Sequence, residues 1–322
     1  MPTRSATWRP TVSVVIPSVG KPGLRRAIES VLAQTHPVTE VHVVLNSETD
    51  VDIPGDPRVH LIRYLERRNG NAARMAGVRR CIGDLVAFLD DDDLWHPTKI
   101  ERQVQDIADA GLAESSTWIS STKVVVEFEH GSETWPRAPY DPSCSLENNL
   151  LRRHRVQRGQ AFLPSSTLLF PRSLPMTVPL DEELSLHQDL TWLLQLSRSL
   201  PDLVVRQVDE ALTKYDAVGD GISRSISLAR ELTWAREYLS SATPRDRGDY
   251  YLGSVMTYAR RQGTVGGMVG VLSEGLRVGR PGAAAVGYAA GAMAAGLVKA
   301  VAASVRQPRQ RSTEADAGAE AS

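Results

Sequence analysis

The sequence predicts an α/β protein: an open, mainly parallel sheet flanked by helices, with a helical C-terminal extension. Short β-branched apolar runs alternate with helical periodicity through roughly the first 110 residues, as in a parallel sheet with crossover helices. The apolar run Leu85 to Leu89 stops abruptly at four consecutive aspartates, Asp90 to Asp93. Beyond residue 225 the pattern becomes amphipathic and then Gly/Ala-rich.

Taken in order, Val12 to Ile16 is a buried strand ended by Pro17. After the loop Ser18 to Gly23, the residues Leu24, Ala27, Ile28, Val31 and Leu32 recur at helical spacing, and His36-Pro37 ends that helix. Val41 to Leu45 is a second strand, followed by the polar loop Asn46 to Asp50; Val59 to Tyr64 is a third. Asn69 to Gly77 opens a helix, and Gly83-Asp84 turns into the strand that carries the aspartates. His96-Pro97 starts the next helix, with Pro97 in its first turn. Thr117 to Glu129 reads as an antiparallel strand, Gly131 to Asn149 as loop, and Ala161 to Phe170 as a strand containing Ser165, Ser166 and Thr167. Leu186 to Leu200 is a helix with His187, Gln188 and Asp189 in its first turn, and Leu203 to Val208 is a strand.

Composition narrows the function. The 322 residues are 42% hydrophobic and 23% charged, with a net charge of −1, which gives no reason to expect nucleic acid as the partner. Two cysteines, Cys81 and Cys144, are too few for a disulfide framework and lack metal-ligand spacing. Met1 to Pro10 has no apolar core of signal-peptide length, so the cytoplasm is expected. No G-x-G-x-x-G follows the first strand, and Gly20 to Gly23 lacks the spacing and ending of a phosphate-binding P-loop.

Four adjacent carboxylates repel one another unless a cation or strong donors sit among them. Mg²⁺ takes oxygen ligands, typically one or two carboxylates plus substrate phosphates. Open α/β sheets place ligands at the carboxyl ends of their strands, which sets a bound cation above the bland alternative of a solvated acidic turn. An extended chain past Leu89 would put Asp90 and Asp92 on one face and Asp91 and Asp93 on the other.

Together these segments resemble family 2 glycosyltransferases of the GT-A fold. Val12 to Pro17 is similar to the family's opening strand, Ser30 to Pro37 to the end of its first helix, and Asn69 to Gly77 to the helix before its acidic motif. Ala87 to Pro97 resembles the D-x-D segment, Leu184 to Leu196 the E-D helix, and Tyr215 to Arg224 a segment of the form Y-R-x-H-x-x-S-x-S. The resemblance implies a nucleotide-diphosphate sugar donor, a divalent cation (Mg²⁺ or Mn²⁺) and inversion at the anomeric carbon. It implies metal contact by Asp92, with Asp90 on the ribose or metal, and Asp189 as general base. Pro17, Ser18, Asn46, Arg74, Asp90 and Asp91 fall where the family holds the nucleotide sugar; Trp95, His187 and Gln188 fall on the acceptor side.

Three positions depart from the pattern. Leu45-Asn46 stands where many relatives have two aspartates, putting base preference in doubt; Gln188 replaces the usual Glu, leaving less negative charge beside Asp189; Val218 replaces a His, a lost diphosphate contact that Arg224 or a basic loop would have to supply. That loop, Leu151 to Gly159, carries Arg152, Arg153, His154, Arg155 and Arg158 and reads as a solvated segment or a cover for the diphosphate. The same departures motivate a non-catalytic sugar-nucleotide or glycan-binding relative as the alternative function. A nucleotidyltransferase is weaker still, because the loop after the first strand is not the basic glycine-rich loop such enzymes carry.

The expected organisation is an N-terminal tail (1–10), a GT-A domain (11–225), a helical region (226–306) and a disordered tail (307–322). Gly282 to Val298 is seventeen residues without charge, at the lower limit for a membrane span. With little hydrophobic drive and the small-residue spacing Gly287 to Gly291, a packed hairpin or homodimer face is expected over a span, and peripheral contact with the inner face of a membrane is allowed. The acceptor, whether glycan, lipid-linked or small molecule, leaves no motif.

Overall fold

A computed structural model describes residues 8–66, 69–157, 159, 162–217 and 226–306. The chain divides into two units: residues 1–151 with 158–225, and residues 152–157 with 226–322.

The first unit runs β1 (Val12–Ser18), α1 (Leu24–Leu32), β2 (Glu40–Leu45), β3 (Val59–Arg63), α2 (Gly70–Val78), β4 (Leu85–Phe88), β5 (Leu94–Trp95), α3 (Lys99–Asp109), β6 (Trp118–Phe128), β7 (Gly131–Trp135), α4 (Leu146–Leu151), β8 (Leu169–Pro171), α5 (Leu174–Thr177), α6 (Gln188–Ser199) and β9 (Val204–Asp216). Its sheet has the order β3-β2-β1-β4-β8-β6-β9-β5, with β7 pairing β6. The first four strands are parallel to one another, β6 and β9 are parallel, and the pairings of β8, β7 and β5 are antiparallel. The architecture is therefore the expected α/β one.

β1, β2 and β4 are buried on both faces, and side-chain alternation assigns the layers. Val14, Ile16, Val43, Ala87 and Leu89 pack with Ile28 of α1 and with Ile100 and Val104 of α3. Val15, Val44 and Phe88 point the other way, to Met75 of α2 and Trp192 and Leu196 of α6. There Phe170 packs edge-on against both Phe88 and Trp192, each 5.0 Å away between ring centres. Sheets covered on both sides read as continuous apolar runs, which is why β1, β2 and β4 were legible.

Several elements differ from their sequence reading. Gly131–Trp135 is a strand, paired with β6 from Phe128↔Gly131 outward; cross-strand pairing overrides a composition without β-branched runs. Leu146–Leu151 is a helix started by Ser145, whose Oγ accepts from the Asn148 N–H at 3.1 Å. The Ser165-Ser166-Thr167 stretch is a 3₁₀ turn, not strand, because Thr167 Oγ1 donates back to Pro164 O at 2.7 Å and the strand begins only at Leu169. α3 is entered at Thr98, so Pro97 precedes the cap instead of occupying the first turn.

The second unit holds α7 (Leu228–Tyr238), α8 (Pro244–Tyr250), a π-helical turn (Tyr251–Val255), α9 (Met256–Gln262), α10 (Val265–Val278) and α11 (Ala283–Arg306). Two buried aspartates organise it. Asp246 accepts from Arg152 Nε at 2.7 Å, and Asp249 accepts from the Arg153 and Gly282 N–H groups at 3.0 and 2.7 Å. The Arg153 guanidinium lies 3.8 Å over the Tyr288 ring. These two arginines of the basic loop are thus engaged within this unit. α11 buries Ala285, Ala289 and Ala292, whereas Gly287 and Gly291 of the predicted small-residue spacing are exposed. Among the described residues no helix is long and apolar enough to cross a membrane.

Candidate functional site

β1, β2 and β4 run parallel, so the loops after Ser18, Leu45 and Phe88 emerge along one edge of the sheet. Past Phe88 the chain turns, with the Asp93 N–H donating to Asp90 O at 3.2 Å. The predicted alternation survives the turn: Asp91 and Asp93 are buried, while the side chains of Asp90 and Asp92 remain 31% and 26% exposed.

Each carboxylate has its own partner. Ser18 Oγ donates to Asp91 Oδ2 at 2.6 Å, and Lys21 Nζ donates to Asp92 Oδ2 at 2.6 Å. Arg74 Nη2 donates to Asp90 Oδ1 at 2.5 Å, and the Asp216 N–H donates to Asp93 Oδ1 at 3.1 Å. Asp93 Oδ2 is buried without a hydrogen-bond partner. Burial pushes the Asp91 carboxyl up, opposed by Ser18 and Lys21; burial and the charge of Asp90 hold Asp93 well above the usual carboxylate range. Burial pulls the Lys21 amine down, but its bond to Asp92 and the charges of Asp92, Asp91 and Asp90 outweigh that and hold it above its ordinary value. Close approach of the loop before α1 requires glycine at position 23, where a Cβ would lie 2.7 Å from Asp91 O.

Arg74 joins the aspartates to α6. Asn69 caps α2 by accepting from the Ala72 N–H at 2.9 Å, and one turn on Arg74 is 6% exposed, its guanidinium 5.8 Å from the centre of the Phe88 ring. Besides Asp90, it donates to Ser165 Oγ and Gln188 Oε1, each at 3.0 Å. Gly70 makes room: a Cβ there would sit 2.5 Å from Gln188 Oε1. His187 enters α6 in the left-handed region (φ 49°), and Asp189 follows in the first turn, its Oδ1 accepting from the Leu190 N–H at 2.8 Å. Tyr215 lies near the end of β9. Burial pushes its phenol up, and the negative charge of Asp93, Asp90, Asp189 and Asp92 adds to that.

Asp90, Asp92, Arg74, Gln188 and Asp189 are therefore brought together, with Pro17, Ser18 and Asp91 along the same strand edge. Asn46 is buried beside them, its amide donating to Tyr64 O at 2.9 Å. Trp95 lies beneath: it is 4% exposed, donates from Nε1 to Ser166 O at 2.7 Å, and carries the Lys99 ammonium 4.2 Å over its ring. It packs under the aspartates and presents no open face for a sugar. Gln188, expected on the acceptor side, spends its amide on Arg74 and on Leu184 O. Arg158, Val218 and Arg224 lie outside the described residues. Lys21, Ser165 and Tyr215 were not singled out from sequence; the signal for Tyr215 was its place at the head of the Y-R-x-H-like segment.

The residues fit a hard divalent cation. The donors are all oxygen, and two carboxylates retain solvent-facing surface beside a third and fourth that are tied down within the protein.

Comparison with known proteins identifies the family. The family signature described as glycosyl transferase family 2 matches residues 13–165. TuaG of Bacillus subtilis (strain 168), named for teichuronic acid biosynthesis as a glycosyltransferase, is 30% identical over 246 residues, which are 70% of this chain and 87% of TuaG. The succinoglycan biosynthesis protein ExoO of Rhizobium meliloti (strain 1021) is 40% identical over 96 residues, 27% of each chain. Among solved structures, Staphylococcus aureus TarS residues 1–349, crystallised with UDP, aligns with a TM-score of 0.47 at 15% identity, over 83% of this chain and 70% of that one.

Proposed function

The chain belongs to glycosyltransferase family 2 and is a transferase, and from that premise we propose that it moves a sugar from a nucleotide-diphosphate donor to an acceptor hydroxyl with inversion at the anomeric carbon. The observation that carries this reading is the bridge made by Arg74 from Asp90 of the acidic segment to Gln188, the neighbour of Asp189 at the start of α6.

In the proposed reaction the acceptor oxygen forms a bond to the anomeric carbon as the bond from that carbon to the diphosphate oxygen breaks. The acceptor proton passes to the Asp189 carboxylate, and the bonding electron pair leaves with the diphosphate. Asp189 suits a base because it sits at a helix start, oriented at one oxygen by the Leu190 N–H. Asp92, with Asp90, would hold Mg²⁺ or Mn²⁺, which when bound supplies positive charge to the departing diphosphate. Arg74 fixes Asp90 and the start of α6 in one frame, so donor and base keep their relative position. Pro17, Ser18 and Asn46 border the place for the nucleoside.

The test is Asp189→Asn, which keeps the acceptor for the Leu190 N–H but removes the base. Transfer should fall by about 10²–10⁴ with donor affinity unchanged. Wild-type turnover in Asp189→Asn would remove that residue from the base role.

A further inference from the structure

At the other end of the parallel strands lies a second cluster, unrelated to sugar transfer. Glu40 and His42 share one face of β2, and Cys81 comes from the turn after α2. All three are buried, with exposures of 6%, 5% and 4%. A Glu oxygen, a His nitrogen and the Cys81 Sγ lie within 4.8 Å of one another.

The side chains are prepared to different degrees. Glu40 Oε1 accepts from Ser13 Oγ at 2.5 Å and from the Ile82 N–H at 2.7 Å, which fixes the carboxylate and leaves Oε2 turned to the ring of His42. His42 Nε2 is 3.0 Å from Oε2, yet off the direction of a hydrogen bond, and Nδ1 meets no polar partner. A buried imidazole nitrogen such as Nδ1, left without a partner, costs free energy unless something completes it. The Cys81 thiol donates a weak 3.4 Å bond to Gly77 O. Across the strand pair, the exposed His60 ring lies 5.4 Å from that of His42.

We propose that Glu40, His42 and Cys81 form a binding site for a borderline-soft divalent transition ion of the Zn²⁺ type, with the fourth position left to water or His60. The ligand types are those of tetrahedral Zn²⁺ sites, and a thiolate with an imidazole disfavours Mg²⁺ or Ca²⁺. Charge closes as well: a carboxylate, a thiolate and a neutral imidazole around a divalent ion leave no net charge in the buried cluster. Ser13 and the Ile82 N–H orient the carboxylate from behind, as outer groups do in metal sites. The ion would cross-link β2 to the turn that leads into β4.

Co²⁺ serves as the probe on the full-length chain after treatment with a chelator. One equivalent should produce a thiolate-to-cobalt charge-transfer absorption in the near ultraviolet, which one equivalent of Zn²⁺ abolishes. Only two cysteines exist, so the assignment is clean: the band persists in Cys144→Ser and in Asp92→Asn and vanishes in Cys81→Ser. Cys144→Ser and Asp92→Asn leave the cluster untouched, so the result does not depend on Cys81→Ser folding. Absence of the band from the wild type, or its loss in Cys144→Ser, overturns the proposal and leaves the cluster as a plain buried Glu–His pair.

Discussion

Lys21 occupies the carboxylate proposed to hold the metal, and that competition can be measured. In Lys21→Met the ion pair to Asp92 at 2.6 Å is lost while the methylene stem is largely kept. The pair is solvent-screened, Lys21 being 34% and Asp92 26% exposed, so it is worth about 1 kcal/mol and not the several a buried pair would give. A divalent ion binding Asp92 must displace the ammonium, so its removal should tighten apparent Mn²⁺ affinity about fivefold. The increment should shrink with added salt. Mn²⁺ titration followed by electron paramagnetic resonance, without donor, reads this directly. Unchanged or weaker Mn²⁺ binding in Lys21→Met would refute the reasoning, because either the ion does not use Asp92 or Lys21 does not stand in its way.

Further outcomes are expected. Arg74→Met breaks one hydrogen bond to a charged acceptor and two to neutral ones; because Asp90 can rehydrate, the loss should be about 3 kcal/mol of stability, read by chemical denaturation, together with weakened transfer. Gly70→Ala places a methyl against Gln188 and Arg74, and should lower turnover more than it lowers donor affinity in steady-state kinetics. Lys99 is fully buried with Gln103 Oε1 at 2.7 Å, and burial holds its amine well below the ordinary lysine value. Its unfolded form therefore binds the extra proton, and stability should rise with pH by up to about 1.4 kcal/mol per unit from that depressed value to about pH 10.4. Lys99→Met should flatten that slope in melting curves taken across the alkaline range.

How much of this was legible depended on the range of the interaction that decides each feature. β1, β2 and β4 are set by continuous burial on both faces, and a run such as Val12 to Ile16 declares that locally. The carboxylates were legible as a problem, four like charges at a strand end, but their partners were not: Ser18, Lys21 and Arg74 lie many residues away and meet them only through parallel pairing. Trp95 illustrates the opposite failure. An aromatic beside an acidic motif reads equally as a sugar platform or as packing, and the hydrogen bond to Ser166 O, which makes it packing, comes from a turn that sequence rendered as strand. The cluster of Glu40, His42 and Cys81 left no spacing signal, because two ligands come from a strand and the third from beyond the next helix.

The residue Gln188, where relatives usually carry Glu, acquires a meaning from its bond to Arg74. With a glutamate there, one guanidinium would be divided between two anions. With glutamine, the whole positive charge is available to Asp90, which becomes the more neutralised and the less inclined to leave Arg74 for a cation. In the proposed site this leaves Asp92 the leading ligand and Asp90 the weaker one. A single substitution, Gln188→Glu, would loosen Asp90 from Arg74 and strengthen its part beside Asp92 in holding the proposed ion.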